Sequence, residues 1–315
     1  MMVIVAQVTI MVLFALLLIC AFLQRGLPQV GGKLGPLRTV ESAAPIPDGF
    51  SGVYARVMTV FAATADATSF SSLKAFLRQG TVGQPTLMRI YRVAGCKAEI
   101  EIPVAVPDYE RIDAAEALAL LRELPDLRVI RRLHLSDERS FLDPWAQKVR
   151  GQTILHLGHA TNFRLVVLYQ PNRRLGHLVG LTLLHEWLHI VAFASWWHVW
   201  RFNRANAVEP LEPAALEPVD FGIWKTPGHE AWCDLGEKLF GYDDTVARQA
   251  ALASPLHAMI VWRRVEKIMR KAPARFRSTR FAECEARAVF MHAEVSPKAR
   301  HAWRSGRPWS RLRRP

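Results

Sequence analysis

The chain has 315 residues, half of them hydrophobic, which is enough for a sizeable core and excludes an intrinsically disordered protein. It has 41 Lys and Arg against 28 Asp and Glu, and the resulting formal net charge of +13 favours an anionic partner such as a lipid surface. The four cysteines are widely separated, which excludes a disulfide framework and a zinc knuckle.

Residues 1–23 form an uncharged apolar segment that is long enough to cross a bilayer. No basic residue precedes this segment and no small-residue cleavage site is evident, so we predict an uncleaved anchor and not a signal peptide. Basic residues follow at Arg25, Lys33 and Arg38, and the positive-inside rule therefore predicts a single-pass membrane protein whose remaining chain is cytoplasmic. Residues 24–48 contain Gly and Pro and are predicted as a linker.

Residues 49–295 are predicted to form one α+β domain with a sheet lobe at about 49–175. Its strands are predicted from β-branched and aromatic runs bounded by turn residues, and its helix from apolar residues at helical spacing. The predicted strands are Thr86–Val93, Ala98–Val106, Leu127–Leu133 and Asn162–Tyr169, and the helix is Ile112–Glu123.

An HExxH motif follows in a largely apolar run. On a helix, positions four residues apart share a face, so His185 and His189 would direct both imidazoles at one point, as zinc coordination requires. Glu186 would lie beside that point, where its carboxylate can take a proton from water and deliver it to a leaving amine. The motif therefore predicts a zinc site that supports hydrolysis.

Zinc needs at least one further protein ligand, and an ExxxD motif offers two carboxylates on one helical face. Glu230 can bind the metal. Asp234 can accept the outer N–H of a ligating histidine and so fix its tautomer.

An HExxH motif followed some tens of residues later by ExxxD resembles the gluzincin metallopeptidases of the zincin fold. It resembles the membrane-associated HtpX-like group in particular, over roughly residues 155–240. It implies a zincin-like domain in which a mixed-sheet lobe is followed by the HExxH helix and a helical lobe at about 176–295. The implied roles are zinc ligands for His185, His189 and Glu230, general base for Glu186, and orienting residue for Asp234.

This resemblance makes the strand at Asn162–Tyr169 the edge strand, along which an extended peptide could pair by β-addition. It implies a membrane-anchored zinc endopeptidase that acts on protein or peptide substrates. The chain departs from the family in its Pro-rich spacer, in His229 before Glu230, and in the lack of clear further membrane spans.

Two other functions remain open. The apolar run from Leu178 to Trp200 is long enough to cross a bilayer, which would fit an intramembrane zinc protease. A non-catalytic, membrane-tethered interaction protein on a zincin-like scaffold would instead use the histidines and glutamates as a satisfied polar patch. A metzincin is excluded, because Ala192 and Ser195 stand where its elongated motif requires Gly and His.

Residues 296–315 are predicted as a basic tail. Because the chain carries an anchor, membrane lipid is favoured over nucleic acid as the partner of this tail. Near the motifs, we interpret Cys233 as a small packing residue and three tryptophans as core or lobe interface. These tryptophans are Trp196, Trp197 and Trp200.

Hydrolysis also needs a donor for the oxyanion that forms when water attacks the peptide carbonyl, and the candidates are Tyr242, Arg248 and His257.

Overall fold

The structure is a computed structural model that describes residues 40–41, 46–59, 85–104, 110–136, 140–141, 155–156, 158–160, 164–169, 171–194, 196–211, 228–277 and 279–305. The predicted anchor at 1–23 lies outside the described residues, as does most of the predicted linker. Residues 40–41 of that linker form a strand that pairs with the sheet.

A mixed sheet of seven strands forms the N-terminal part of the fold, as the predicted α+β class requires. Its order is β1-β2-β3-β4-β5-β9-β8. Strands β1 to β4 pair with one another in antiparallel orientation, β5 lies parallel to both β4 and β9, and β8 is antiparallel to β9. These strands are β1 Val40–Glu41, β2 Phe50–Thr59, β3 Pro85–Val93, β4 Glu99–Pro103, β5 Arg132–Ser136, β8 Gly158–Ala160 and β9 Leu165–Tyr169; β6 Ser140–Phe141 and β7 Leu155–His156 form a separate pair.

The strand predictions are confirmed for β3, β4 and β9 with shorter or shifted bounds, and one prediction is wrong in part. The predicted strand Leu127–Leu133 begins as a 3-10 turn, Leu127–Val129, and only then extends into β5. Asp126 causes this turn, because its carboxylate accepts the backbone N–H of Arg128 and closes the chain locally.

One α-helix lies between β4 and β5, and the other described α-helices follow β9 and account for most of the C-terminal half. They are α1 Ala114–Glu123, α2 Gly176–Phe193, α3 Trp196–Ala205, α4 His229–Phe240, α5 Asp244–Ala253, α6 Pro255–Met269, α7 Thr279–Phe290 and α8 Ser296–Ser305. The predicted helix at 112–123 is confirmed as α1. Its N-terminus is fixed by a capping box in which Asp113 and Glu116 each accept the other's backbone N–H.

The HExxH motif lies in the middle of α2, which is a core helix. Leu183, Leu184, Trp187 and Leu188 are fully buried, so the apolar surface of this helix faces protein on several sides. The stretch Arg173–Ala192 has the length and composition of a membrane span, but it is mostly buried, and a core helix meets the same criterion. The apolar run at 178–200 is not one helix, because α2 ends at Phe193 and α3 begins at Trp196.

The helical region extends beyond residue 295, where the basic tail was predicted to begin. Residues 296–305, predicted as part of a basic tail, form α8, which packs on α6 and places Ala299 in the core. The remaining tail residues, 306–315, lie outside the described part of the chain.

Candidate metal centre and its surroundings

Helices α2 and α4 bring the two motifs together at one point. Nε2 of His185 lies 3.4 Å from Oε2 of Glu230, and Nε2 of His189 lies 3.5 Å from the same oxygen. Ligand atoms at about 2.0–2.2 Å from a tetrahedral zinc are separated from one another by roughly 3.3–3.5 Å. The Glu230 oxygen therefore lies at the distance from each imidazole nitrogen that two ligands of a tetrahedral cation would have.

Local packing holds the two helices at this separation. Within the motif, Trp187 is fully buried and its Nε1 donates to the backbone oxygen of Asp126 at 2.9 Å, which ties α2 to the turn before β5. On α4, a Cβ at Gly236 would lie 2.8 Å from the Leu188 side chain, so glycine permits the close approach of α4 to α2. Glu230 lies in the first turn of α4, where the helix dipole favours a carboxylate.

The outer nitrogen of His185 is held by a residue that the sequence analysis did not identify. Oε2 of Glu237 lies 3.1 Å from Nδ1 of His185, whereas Oδ1 of the predicted partner Asp234 lies 3.7 Å from that nitrogen. Glu237 is therefore the hydrogen-bond acceptor, and Asp234 is a more distant neighbour. Position 237 is seven residues after Glu230 and so on the same helical face, which is the signal that would have identified it.

The hydrogen bond to Glu237 fixes the orientation of His185. A carboxylate accepts this bond, so Nδ1 carries the proton and Nε2 faces Glu230. Nε2 is also the nitrogen that a metal at the site would use. The ring of His189 is edge-on to that of His185, with centroids 4.9 Å apart.

Mutual interactions of His185, His189 and Glu230 favour the protonated form of both histidines and the ionised form of the glutamate. Burial lowers the pKa of His185, but hydrogen bonds to Glu230 and Glu237 outweigh it and raise that pKa well above its ordinary value. For His189, burial again acts to lower the pKa, and Glu230 raises it overall. Burial acts to raise the pKa of Glu230, but the two histidines hold it far below its ordinary value.

The Glu186 side chain, between the two histidines in sequence, is almost entirely buried, with 7% exposure. Burial raises the pKa of Glu186, and His189 and His185 partly offset this effect. Its side chain lies against β8: a Cβ at Gly158 would be 2.9 Å from Cγ and 3.1 Å from Oε1 of Glu186. No sequence motif marks Gly158, but its lack of a side chain leaves room for Glu186.

The predicted edge strand is wrong. Strand β9, Leu165–Tyr169, lies inside the sheet between β5 and β8 and is buried on both sides. The strand at the end of the described sheet is β8, Gly158–Ala160, which contacts α2. Composition favoured 162–169 because buried central strands are richest in β-branched residues, whereas a short edge strand with glycine carries little signal.

Cys233 also lies close to the two histidines of the HExxH motif. The ligand atoms of His185, His189 and Cys233 all lie within 4.8 Å of one another. The thiol is fully buried, and burial raises its pKa well above the ordinary value. The interpretation of Cys233 as a packing residue therefore describes its burial but omits its place beside both histidines.

The candidate oxyanion donors are held by other partners. Tyr242 donates its hydroxyl to Glu123 at 2.6 Å, and Arg248 pairs with Asp244 at 2.9 Å. His257 is fully buried, with Nδ1 2.7 Å from Glu209 and Nε2 2.8 Å from Asn206. These contacts do not bring the three side chains to the HExxH cluster.

For the tryptophans after the motif, interpreted as core or lobe interface, core is wrong in two cases. Trp197 is 48% exposed and Trp200 is 37% exposed, and their rings stack at 4.6 Å on the surface of α3. The side chain of Trp196 lies outside the described part. Helix α3 is amphipathic, and its buried face is formed by other residues such as Val199 and Phe202.

Compared with known proteins, the chain matches no family model, no curated protein and no solved structure. The geometry of the α2 and α4 side chains, together with the motif resemblance, is therefore the basis for interpreting the site.

Proposed function

We propose that this protein is a membrane-anchored, zinc-dependent endopeptidase of the zincin type. The observation that carries the proposal is the position of Glu230 Oε2, 3.4 and 3.5 Å from the Nε2 atoms of His185 and His189. Two motifs separated by 40 residues or more meet there, and each nitrogen-to-oxygen distance fits a tetrahedral cation. Because 3.4 Å is also a hydrogen-bond distance between His185 and Glu230, zinc content is the measurement that separates this proposal from a satisfied polar patch.

The donor set fits zinc. Two imidazole nitrogens and one carboxylate oxygen are the three protein ligands of one common class of catalytic zinc site, which keeps a further position for water or substrate. The bond from His185 Nδ1 to Glu237 supplies the outer hydrogen bond that metal-ligating histidines need. When bound here, zinc supplies Lewis acidity, which lowers the pKa of a water molecule and polarises a peptide carbonyl.

Glu186 is the proposed general base. Its carboxylate takes a proton from the attacking water and then gives it to the nitrogen of the leaving amine. A base acts best when its pKa is near the working pH, and the burial that raises the pKa of Glu186 moves it in that direction.

The substrate would bind along β8. In the described sheet this strand has a neighbour on one side only, and Glu186 lies directly against Gly158. An extended peptide can add to such an edge through main-chain hydrogen bonds, with side-chain pockets giving selectivity. Its carbonyl would then lie close to Glu186 and the two histidines.

The membrane anchor remains part of this proposal and rests on the sequence of residues 1–23. The proposed partners are a protein or peptide substrate and membrane lipid, with the catalytic domain on the cytoplasmic side.

The first test is metal content of the whole chain, purified in detergent after growth with zinc. We expect stoichiometric zinc in the wild type and its loss in His185→Ala and in Glu230→Ala. His292→Ala and Glu283→Ala are matched controls. Glu283 is exposed on α7 and His292 is exposed just after the end of α7, so these two substitutions should leave the zinc content unchanged.

The second test separates metal binding from catalysis. Glu186→Gln should retain zinc but cleave an unstructured protein substrate about 10²–10⁴-fold more slowly than the wild type. A folded wild-type protein that binds no zinc would refute the proposal. Equal cleavage rates for Glu186→Gln and the wild type would refute the role of Glu186.

A further inference from the structure

Cys233 lies one helical turn after Glu230 on α4, in the same α2–α4 contact. Its ligand atom is within 4.8 Å of one nitrogen on each of His185 and His189, and its side chain is fully buried. The thiol forms no disulfide. The sulfur is therefore held beside the imidazoles of both histidines.

We infer that Cys233 is a fourth protein ligand of the metal centre and that the resting centre is closed by its sulfur. The inference rests on the proposed function, because it requires a metal between α2 and α4. It extends that function by assigning a ligand and a way in which access to the metal is controlled.

Distance and chemistry support this assignment. With zinc–sulfur and zinc–nitrogen distances of about 2.3 and 2.0–2.1 Å, the sulfur and nitrogen of a tetrahedral site are roughly 3.5 Å apart. The sulfur already lies within 4.8 Å of a nitrogen of each histidine, so a small movement of the side chain would bring it to this spacing. As the sulfur binds, the thiol proton leaves to solvent, and the thiolate that remains is a preferred zinc ligand.

Four protein ligands have a consequence for catalysis. Closed sites with four protein ligands are structural, whereas catalytic zinc sites hold three protein ligands and keep one position for water or substrate. With Cys233 bound, this position is filled, so hydrolysis requires the sulfur to leave first. Removal of the thiol should then increase the cleavage rate.

Cobalt(II) provides a direct test, because it adopts tetrahedral zinc sites and a bound thiolate gives it an intense sulfur-to-metal charge-transfer band in the near ultraviolet. The whole chain in detergent would be stripped of metal and titrated with cobalt. The variants are Cys233→Ser and Cys233→Ala, and the matched control is Cys284→Ser, which alters a buried cysteine on α7.

We expect stoichiometric cobalt and the charge-transfer band in the wild type and in Cys284→Ser. In both Cys233 variants the band should be lost while cobalt still binds, with reduced affinity. A wild-type protein that binds cobalt without the band would overturn the inference and leave the proposed peptidase site intact. A protein that binds neither cobalt nor zinc would refute both proposals.

Cleavage rate tests the second part of the inference. Zinc-loaded Cys233→Ala should hydrolyse a protein substrate severalfold faster than the wild type, while Cys284→Ser should match the wild type. An unchanged or lower rate in a zinc-loaded Cys233→Ala protein would overturn the closed resting state.

Discussion

The carboxylate of Glu237 accepts a hydrogen bond from Nδ1 of His185 at 3.1 Å and so fixes the face that this histidine presents to Glu230. This bond comes from the second turn of α4 after Glu230, and it is shorter than the 3.7 Å distance from the same nitrogen to Asp234. The orientation of a proposed metal ligand thus depends on Glu237 more than on the aspartate of the ExxxD motif.

Glu237→Ala should weaken zinc binding by about 10–100-fold, because the outer hydrogen bond of a ligating histidine is lost. Competition against a chelator of known affinity measures the change. Glu237→Gln keeps an acceptor and should have a smaller effect. Asp234→Ala is the matched control and should weaken binding less than Glu237→Ala; the reverse order would contradict the role of Glu237.

Gly158→Ala should lower the cleavage rate by about 10²-fold while zinc content stays unchanged, since small displacements of catalytic groups have effects of this size. The added methyl group would lie 2.9 Å from Cγ of Glu186 and 2.7 Å from Cγ2 of Thr182, so the Glu186 side chain, the proposed general base, must move. Steady-state cleavage and metal analysis are measured on the same preparation.

Gly52→Ala is the control for this substitution. Gly52 lies in β2, and a Cβ there meets no atom within 4 Å, so the variant should cleave at the wild-type rate. If Gly158→Ala also cleaves at the wild-type rate, Glu186 does not depend on the space at β8.

Trp187→Phe should lower the free energy of unfolding by about 1–3 kcal/mol, because the Asp126 backbone oxygen loses one of its two donors and the smaller ring leaves unfilled volume at a fully buried position. Denaturant titration followed by circular dichroism measures this difference. Trp200→Phe changes a tryptophan that is 37% exposed and should alter the free energy by about 0.5 kcal/mol or less. Equal effects of the two variants would argue against the anchoring role of Trp187.

Glu101 makes the stability dependent on acid. This buried residue of β4 accepts hydrogen bonds from Arg132 at 2.6 and 3.0 Å, and it contacts His134 at 3.2 Å. Burial acts to raise the pKa of Glu101, but His134 and Arg132 lower it from 4.5 to about 2. A folded-state pKa below the unfolded one means that ionised Glu101 stabilises the fold above about pH 4.5, and that this contribution is lost as the pH falls towards 2.

The difference between 4.5 and about 2 corresponds to roughly 3 kcal/mol. Glu101→Gln should therefore be less stable than the wild type by about this amount near pH 7, and the difference should shrink as the pH approaches 2. Urea titrations across this range measure it. Glu99→Gln, which alters an ion pair at the surface, should cost about 1 kcal/mol or less. A difference between Glu101→Gln and wild type that does not vary with pH would contradict the assigned pKa.

Local patterns were sufficient for much of the fold. The capping residues Asp113 and Glu116 mark the start of α1, and the HExxH spacing places His185 and His189 on one face of a helix whatever surrounds it. Likewise, Glu230 and Asp234 were assigned to a helix from their spacing. Such features depend on backbone geometry within a few residues, which the sequence encodes directly.

Features that depend on distant parts of the chain were not predictable in this way. Alternation of side chains cannot distinguish the interior strand β9 from the edge strand β8, because strand order is decided by pairing between segments. The approach of α4 to α2 likewise depends on Gly236 meeting Leu188, two residues that are 48 positions apart.

The sequence by itself determined which residue types could bind a metal, because helical periodicity sets the faces of α2 and α4. Only the tertiary structure decided which of them meet: it brought Glu230 and Glu237 to His185, placed Glu186 against Gly158, and set Cys233 beside both histidines. The physical reason is that helix periodicity fixes direction around one axis, whereas the distance between two helices is set by the side chains packed between them.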